Sequence, residues 1–219
     1  MKILFIRHGE SIENIRGKMA SVVNDAPLTK EGLKQTYAFL PVLKKYGVQK
    51  VYYSPKERAK RIGEIIDKKL RIPHEAVSDL SERDWGTWGN KPWREVSKKL
   101  DKLSIKQRYE IVPPKGESWK QFEKRLLTAI KRIEAEAEEK GYNSVAIVTH
   151  KGSLRAIFPV LSKTNIREHK KFSTELGSIS IVSKTDKAHY SLDMLNLVPR
   201  RGISKFFLGS FKKSKAEED

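Results

Sequence analysis

The chain has 219 residues, of which 45 are Lys or Arg and 27 Asp or Glu, giving a formal net charge of +18. A hydrophobic share of 38% is enough for a sizeable core and excludes a wholly disordered chain. The absence of cysteine excludes disulfides, thiolate metal sites, iron–sulfur clusters and a cysteine nucleophile. No apolar run approaches the ~18–20 residues a membrane-crossing helix needs, and Met1–Arg7 has neither the long apolar region nor the cleavage site of a signal peptide. A cytoplasmic protein without a membrane span is therefore expected, with its oligomeric state open.

In chain order, Lys2–Arg7 is apolar and branched, which predicts a buried strand. Leu33, Tyr37 and Leu40 recur at helical spacing and predict a helix over about Lys30–Lys45, kinked or shortened by Pro41. Val51–Tyr53 reads as a second strand. Behind it, Ser54 is expected as N-cap, Pro55 as first helical residue and Glu57 as the other half of a capping box, with Ala59, Ile62, Ile65 and Ile66 facing inward. Ala76–Val77 suggests a third strand. The stretch from Gly86 to Gly116 is irregular, holds Trp85, Trp88 and Trp93 at or near its start, and suggests one basic helix near Arg94–Tyr109; it reads as a lid-like insertion over the body. Ser118 and Gln121 form a capping box that opens a long amphipathic helix to about Lys140, stopped by Gly141. Ser144–Thr149 is a buried strand, Gly152–Leu161 a helix, and Ser178–Ser183 and His189–Leu195 alternate as strands. Alternating strands and helices place the chain in the α/β class, a three-layer α/β/α arrangement with a mostly parallel central sheet. One domain over 1–219 is expected, with the insertion at about 86–116 and a basic, mobile tail at about 200–219.

The charge is spread out: Lys91–Arg108 carries seven basic residues against two acidic ones, and the tail from Arg200 carries six before it ends in Glu217, Glu218 and Asp219. Such a balance attracts anions. No segment has the aromatic-plus-basic pattern of a nucleic-acid module, so a solvated lysine-rich surface is favoured over binding to nucleic acid or an anionic surface.

The chemistry concentrates where strands end. Arg7-His8-Gly9-Glu10 follows the first strand and His150 follows the strand Ser144–Thr149; ligands of open α/β sheets bind outside those carboxyl ends. Arg58 comes from the first turn of a helix at the same edge. Two arginines and two histidines brought together without partner carboxylates make sense around a dianion, which guanidinium groups grip bidentately. The helix after His150 adds backbone N–H groups, with Gly152 allowing close approach. Neighbouring arginines favour neutral imidazole, and a neutral imidazole facing phosphorus is a nucleophile.

The motif Arg7-His8-Gly9-Glu10-Ser11 with Asn14 resembles the signature of the histidine phosphatase superfamily, the phosphoglycerate mutase-like proteins. The similarity continues through Pro27–Gly32, Tyr53-Ser54-Pro55 with Arg58-Ala59, Leu80-Ser81-Glu82 with Gly86 and Trp88-Gly89, Gly116-Glu117-Ser118, and Val148–Gly152 with Arg155. These landmarks keep the family's order over about residues 2–158. The resemblance implies that His8 attacks phosphorus and becomes a phosphohistidine. It implies that Arg7, Arg58 and His150 bind the phosphoryl oxygens and stabilise charge, that Asn14 donates a further hydrogen bond, and that Glu82 protonates the leaving oxygen and then activates water. It also places the Lys151 backbone beside the phosphate, and it implies no metal and no cofactor.

The implied activity is that of a metal-independent phosphoric monoester hydrolase of the histidine acid phosphatase type, acting on a small phosphorylated metabolite. The alternatives are a phosphoglycerate mutase or bisphosphatase of the same superfamily, or a non-catalytic anion- or nucleic-acid-binding protein. Three departures from the family pattern stand out. Lys151 replaces a common glycine, its side chain reaching either a second anionic group or solvent. Ala59-Lys60-Arg61-Ile62-Gly63 replaces a common Gln-Thr-Ala continuation, and Gly63 within a helix costs about 1 kcal/mol. The stretch after Glu82, Arg83–Trp88, is closer to the phosphatase branch than to the glycolytic mutases. The competing readings are a surface carboxylate or Arg83 partner for Glu82, and a turn residue for Asn14.

Overall fold

The computed structural model describes residues 1–16, 25–164, 166–185 and 189–199. The expected tail at 200–219 lies outside them. The strands are β1 (Lys2–Arg7), β2 (Lys50–Tyr53), β3 (His74–Ala76), β4 (Ser144–Thr149), β5 (Ile179–Lys184) and β6 (Tyr190–Leu197). The α-helices are α1 (Ile12–Ile15), α2 (Lys30–Lys45), α3 (Glu57–Leu70), α4 (Trp93–Asp101), α5 (Ile105–Glu110), α6 (Trp119–Glu139) and α7 (Lys151–Leu161). The strands form one sheet in the order β3-β2-β4-β1-β5-β6. The first four run parallel, while β5 pairs antiparallel with β1 and β6 antiparallel with β5.

Strand side chains alternate between faces, so each central strand feeds two cores. Ile3 and Phe5 of β1, with Val145 and Ile147 of β4, pack under Phe122, Leu126, Ile130, Ile133, Ile157 and Phe158 of α6 and α7. Leu4 and Ile6, with Ala146 and Val148, pack under Phe39, Leu43, Ile62 and Ile66 of α2 and α3. Helices on both faces and a mixed sheet with a parallel centre give the α/β architecture expected from the sequence. No helix of the described residues is long and apolar enough to cross a membrane.

Several local expectations change. Pro41 does not end α2, which runs on to Lys45; Pro41 is exposed, so water can satisfy the carbonyl it leaves without a partner. The Ser54–Glu57 capping box does not form. The helix starts later, at Glu57, and its cap comes from a distant residue: the Asp25 carboxylate accepts from Glu57 N at 2.8 Å. The single basic helix expected near Arg94–Tyr109 is two, α4 and α5. Ser104 interrupts it, because its hydroxyl and the Gln107 side chain cap α5 reciprocally. The ends of the stretch 86–116 meet, with Thr87 N donating to Pro114 O (3.0 Å) and Glu117 N to Asp84 O (2.9 Å).

Gly63 is a packing requirement rather than a weakness. A Cβ there would lie 2.9 Å from Cδ1 of Tyr53, so glycine lets α3 sit against β2. Gly63→Ala is expected to lower the urea unfolding free energy by about 1 kcal/mol. The overpacking cost of about 1–3 kcal/mol exceeds the helix-propensity gain of about 1 kcal/mol. An unchanged urea midpoint would show that the Tyr53 ring yields instead.

Candidate active site

Register alone brings three key side chains together. Arg7 of β1 is paired with Thr149 of β4, and Tyr53 of β2 with Val148. His8, His150 and Ser54 are the next residues on three adjacent parallel strands. The ladder extends past the strand ends to hold them, with His8 N donating to Thr149 O (3.1 Å) and Ser54 N to Val148 O (3.0 Å). The two imidazole rings lie 5.2 Å apart, centroid to centroid.

Arg58 enters from the first turn of α3 and is only 1% exposed. Its Nε donates to Nε2 of His8 (3.2 Å) and its Nη2 to Nδ1 of His150 (3.2 Å). A guanidinium has no acceptor, so both ring nitrogens are unprotonated. The remaining ring N–H groups are then assigned: Nδ1 of His8 donates to Gly9 O (2.7 Å), and Nε2 of His150 donates to Oγ of buried Ser54 (2.8 Å). Burial, reinforced by the Arg58 charge, holds both imidazoles well below their ordinary protonation range.

The cluster does have partner carboxylates, contrary to the expectation from sequence. Nη1 of Arg58 donates to Glu13 (3.4 Å) and Asp25 (3.3 Å). A cation this deeply buried is costly unless paired, and those two acids supply the pairing. Burial raises the Glu13 carboxyl above its ordinary range, with Arg58 opposing. Nη1 of Arg7 donates to Thr174 O, while its Nε is buried with no hydrogen-bond partner among the described residues. Burial lowers the Arg7 guanidinium to about 10, with Glu82 and Glu175 pulling it back up.

Glu82 follows a 3-10 turn (Ser78–Leu80) whose carbonyls are held from outside. Oγ1 of Thr149 donates to Leu80 O (2.7 Å), and Nη1 of Arg125 to Asp79 O (2.6 Å). The Glu82 carboxylate accepts from Gly152 N (2.9 Å) at the start of α7 and from its neighbour's backbone, Arg83 N (2.9 Å). A helix N-terminus favours a negative charge there. A Cβ on Gly152 would lie 2.2 Å from Oε1 of Glu82, so that glycine makes room for the acid. Arg83 is not the ion-pair partner of Glu82; its guanidinium donates to the carbonyls of Glu117 and Ile111 and lies 4.1 Å from the Trp85 ring centre. Trp85 meets Trp93 edge-on, and Trp93 remains 48% exposed.

Asn14 sits on the exposed side of α1, its carboxamide oxygen accepting from N (3.0 Å) and Oγ (2.9 Å) of Ser11. That orientation leaves the amide nitrogen for a ligand. Lys151 is exposed and shares a cavity wall with Arg7. Among the described residues, no group of three or more His, Asp or Glu side chains is placed to hold a metal ion.

The family model of the histidine phosphatase superfamily (branch 1) matches residues 3–197. The chain belongs to this superfamily. Among similar proteins of the superfamily, a metal-independent phosphoserine phosphatase from Arabidopsis thaliana is 33% identical over 164 residues, covering 72% of this chain and 67% of that one. A 2,3-bisphosphoglycerate-dependent phosphoglycerate mutase from Methanococcus vannielii is 27% identical, covering 89% and 95%. The crystal structure of an alpha-ribazole phosphatase from Shigella flexneri superposes with a TM-score of 0.77 at 22% identity, covering 94% of this chain and all of that one. The superfamily resemblance and the fold expected from the motifs are thus established.

Sequence reading did not single out Ser54, Glu13 or Asp25 for the site. Ser54 carried a signal, since it follows β2 at the same edge of the sheet as the two histidines. Glu13 and Asp25 carried none, because their role depends on a partner more than 30 residues away. The neutral histidines make stability pH-dependent. Their folded pKa values lie below the unfolded value of about 6.5, so the stabilisation is complete above it and is lost as pH falls through and below it. Each such imidazole contributes a slope of up to about 1.4 kcal/mol per pH unit. Urea midpoints measured from pH 7.5 to 5.5 are expected to fall more steeply for wild type than for His150→Gln. Parallel curves would refute the assignment of a neutral, buried His150.

Proposed function

We propose that this protein is a metal-independent phosphomonoesterase that works through a phosphohistidine on His8. The observation carrying this reading is the hydrogen bonding of the His8 ring. Its Nδ1–H is held by the Gly9 carbonyl, which leaves the Nε2 lone pair directed at the buried Arg58 guanidinium. An imidazole fixed in that tautomer is a ready nucleophile, set where a phosphoryl dianion would be drawn.

In this mechanism the ester's phosphoryl group lies between Arg7, Arg58 and His150, with the Asn14 amide as a further donor. Nε2 of His8 attacks phosphorus in line while the P–O bond to the alcohol breaks. Protonated Glu82 passes its proton to the departing oxygen, which leaves as the alcohol. Water then attacks the phosphohistidine, Glu82 takes its proton, and the P–N bond breaks to release inorganic phosphate and restore the imidazole. A dianion beside His150 favours imidazolium, so that Nδ1, which accepts from Arg58 in the structure, becomes a donor to a phosphoryl oxygen. Arg7, with a buried donor to spare, stabilises charge on the equatorial oxygens. The stretch 86–116, closed at its base and carrying exposed Trp93, is the lid in this reading. The whole chain works as one catalytic domain on a small phosphorylated molecule.

A second reading, phosphoglycerate mutase, is favoured by the match to the Methanococcus vannielii mutase over 95% of that protein's length. The two separate by product. A phosphatase releases inorganic phosphate from 3-phosphoglycerate faster than it forms the 2-isomer, while a bisphosphate-primed mutase does the reverse.

Turnover of para-nitrophenyl phosphate is expected to be unchanged by EDTA and to fall at least ~10³-fold in His8→Ala, with an acid-labile phosphoenzyme trapped in wild type by alkaline quench. Loss of activity in EDTA, or persistent activity in His8→Ala, would overturn the mechanism. Glu82→Gln is expected to lower kcat/KM, which reports phosphoryl transfer to His8 and not the shared hydrolysis step, by about 10²–10⁴ for alkyl phosphates and far less for para-nitrophenyl phosphate, because nitrophenolate leaves without a proton. An equal loss on both esters would remove Glu82 from the role of acid.

A further inference from the structure

A cavity of about 940 Å³ lies within the size range of small-molecule sites. The residue before His8 and the residue after His150, Arg7 and Lys151, both line it. Lys34 and Glu31 of α2 and Thr174 and Glu175 of the loop before β5 also contribute to its walls. Glu82 is anchored on the amide of Gly152, next in sequence to Lys151, so the leaving oxygen that Glu82 would protonate sits beside Lys151. Atoms beyond that oxygen would then reach the wall that Lys151 shares with Arg7.

The charges on these walls are uneven. Lys34 is paired with Glu31 at 3.5 Å on the exposed α2 surface, and Glu175 faces Arg7. Lys151 contributes a third cation to a wall with only two carboxylates. Its ammonium is held below the ordinary lysine range, first by loss of hydration and then by repulsion from Arg7 and Arg155, with only Glu82 opposing. A neutral alcohol would leave this crowded cation without compensation, whereas an anionic group would relieve it.

We infer that the cavity receives the alcohol part of the substrate and that Lys151, assisted by Lys34, reads a second anionic group on it, a carboxylate or a second phosphate. The inference rests on the phosphatase reading for the placement of the leaving oxygen. It narrows the substrate to phosphomonoesters with an anionic group a few bonds from the ester oxygen.

The test compares 2-phosphoglycolate with ethyl phosphate, which match in length and differ in the carboxylate, and adds propane-1,3-diol bisphosphate against propyl phosphate. Wild type is expected to favour at least one anionic member by tenfold or more in kcat/KM. Lys151→Gln is expected to shrink that ratio at least fivefold, mainly through KM, and Lys151→Arg to restore it. Preference for the carboxylate or for the bisphosphate identifies the second group. No preference in wild type, or a ratio that survives in both Lys151→Gln and Lys34→Gln, would overturn the inference. Should no ester be turned over, the phosphatase reading fails by itself. Calorimetric binding of 2-phosphoglycolate and ethyl phosphate then decides the subsite. A tenfold difference lost in Lys151→Gln supports it, and equal affinities overturn it.

Discussion

One buried guanidinium organises this molecule's site. Arg58 is almost wholly removed from water and makes four contacts, to two imidazole lone pairs and two carboxylates. A buried charge with unsatisfied donors costs several kcal/mol, so the surroundings must supply acceptors. That demand fixes the protonation of both histidines. Each must present a bare nitrogen to Arg58, and each must then place its remaining N–H elsewhere, His8 on Gly9 and His150 on Ser54. Tautomer and ring orientation both follow from one cation's need for acceptors.

The sheet makes such a cluster affordable in sequence terms. Parallel strands deliver the residues that follow them to one edge of the sheet, His8 and His150 level and Ser54 one residue lower. Three side chains from three distant segments therefore meet without any of them needing a special loop. Glu13 and Asp25 balance Arg58, and Asp25 also caps α3, so a single carboxylate ties the helix start to the cation. In the proposed mechanism an arriving dianion would compete with these acids for the same guanidinium, and at Gly152 it would approach a helix N-terminus already occupied by Glu82. Most buried polar groups around Arg58 are satisfied within the protein. The buried Nε of Arg7 is an exception, and it marks where an added acceptor gains most.

Much of this was legible in the sequence. The central strands announced themselves as short apolar runs, and the Ser118–Gln121 capping box placed the start of α6 correctly. His8, His150 and Arg58 were legible because strand ends in a parallel sheet converge whatever the loops do. What was not legible depended on long-range competition. Ser54 has the local chemistry of an N-cap, but a buried imidazole N–H offers it a stronger partner, and the helix starts later with a cap supplied from residue 25. Pro41 and Gly63 each carry a local penalty that tertiary context cancels, the first by facing water and the second by letting Tyr53 approach. Glu13 could not be assigned from its neighbours, since only the fold brings it to Arg58.

The division between scaffold and specificity follows from the same physics. The two cores on either face of the sheet tolerate many apolar combinations, which fits a shared fold with the Shigella flexneri phosphatase at 22% identity. Residues that touch Arg58 have no such latitude, because each one satisfies a buried donor. Lys151 lies just outside that set. Its backbone neighbour Gly152 must stay small to admit Glu82, but its own side chain faces open space and makes no contact on which the cluster depends. In the proposed mechanism, a position beside the leaving group and free of the buried hydrogen-bond network can change charge without disturbing His8. The cavity wall, rather than the histidine pair, is where a chain of this fold can adapt to a different alcohol.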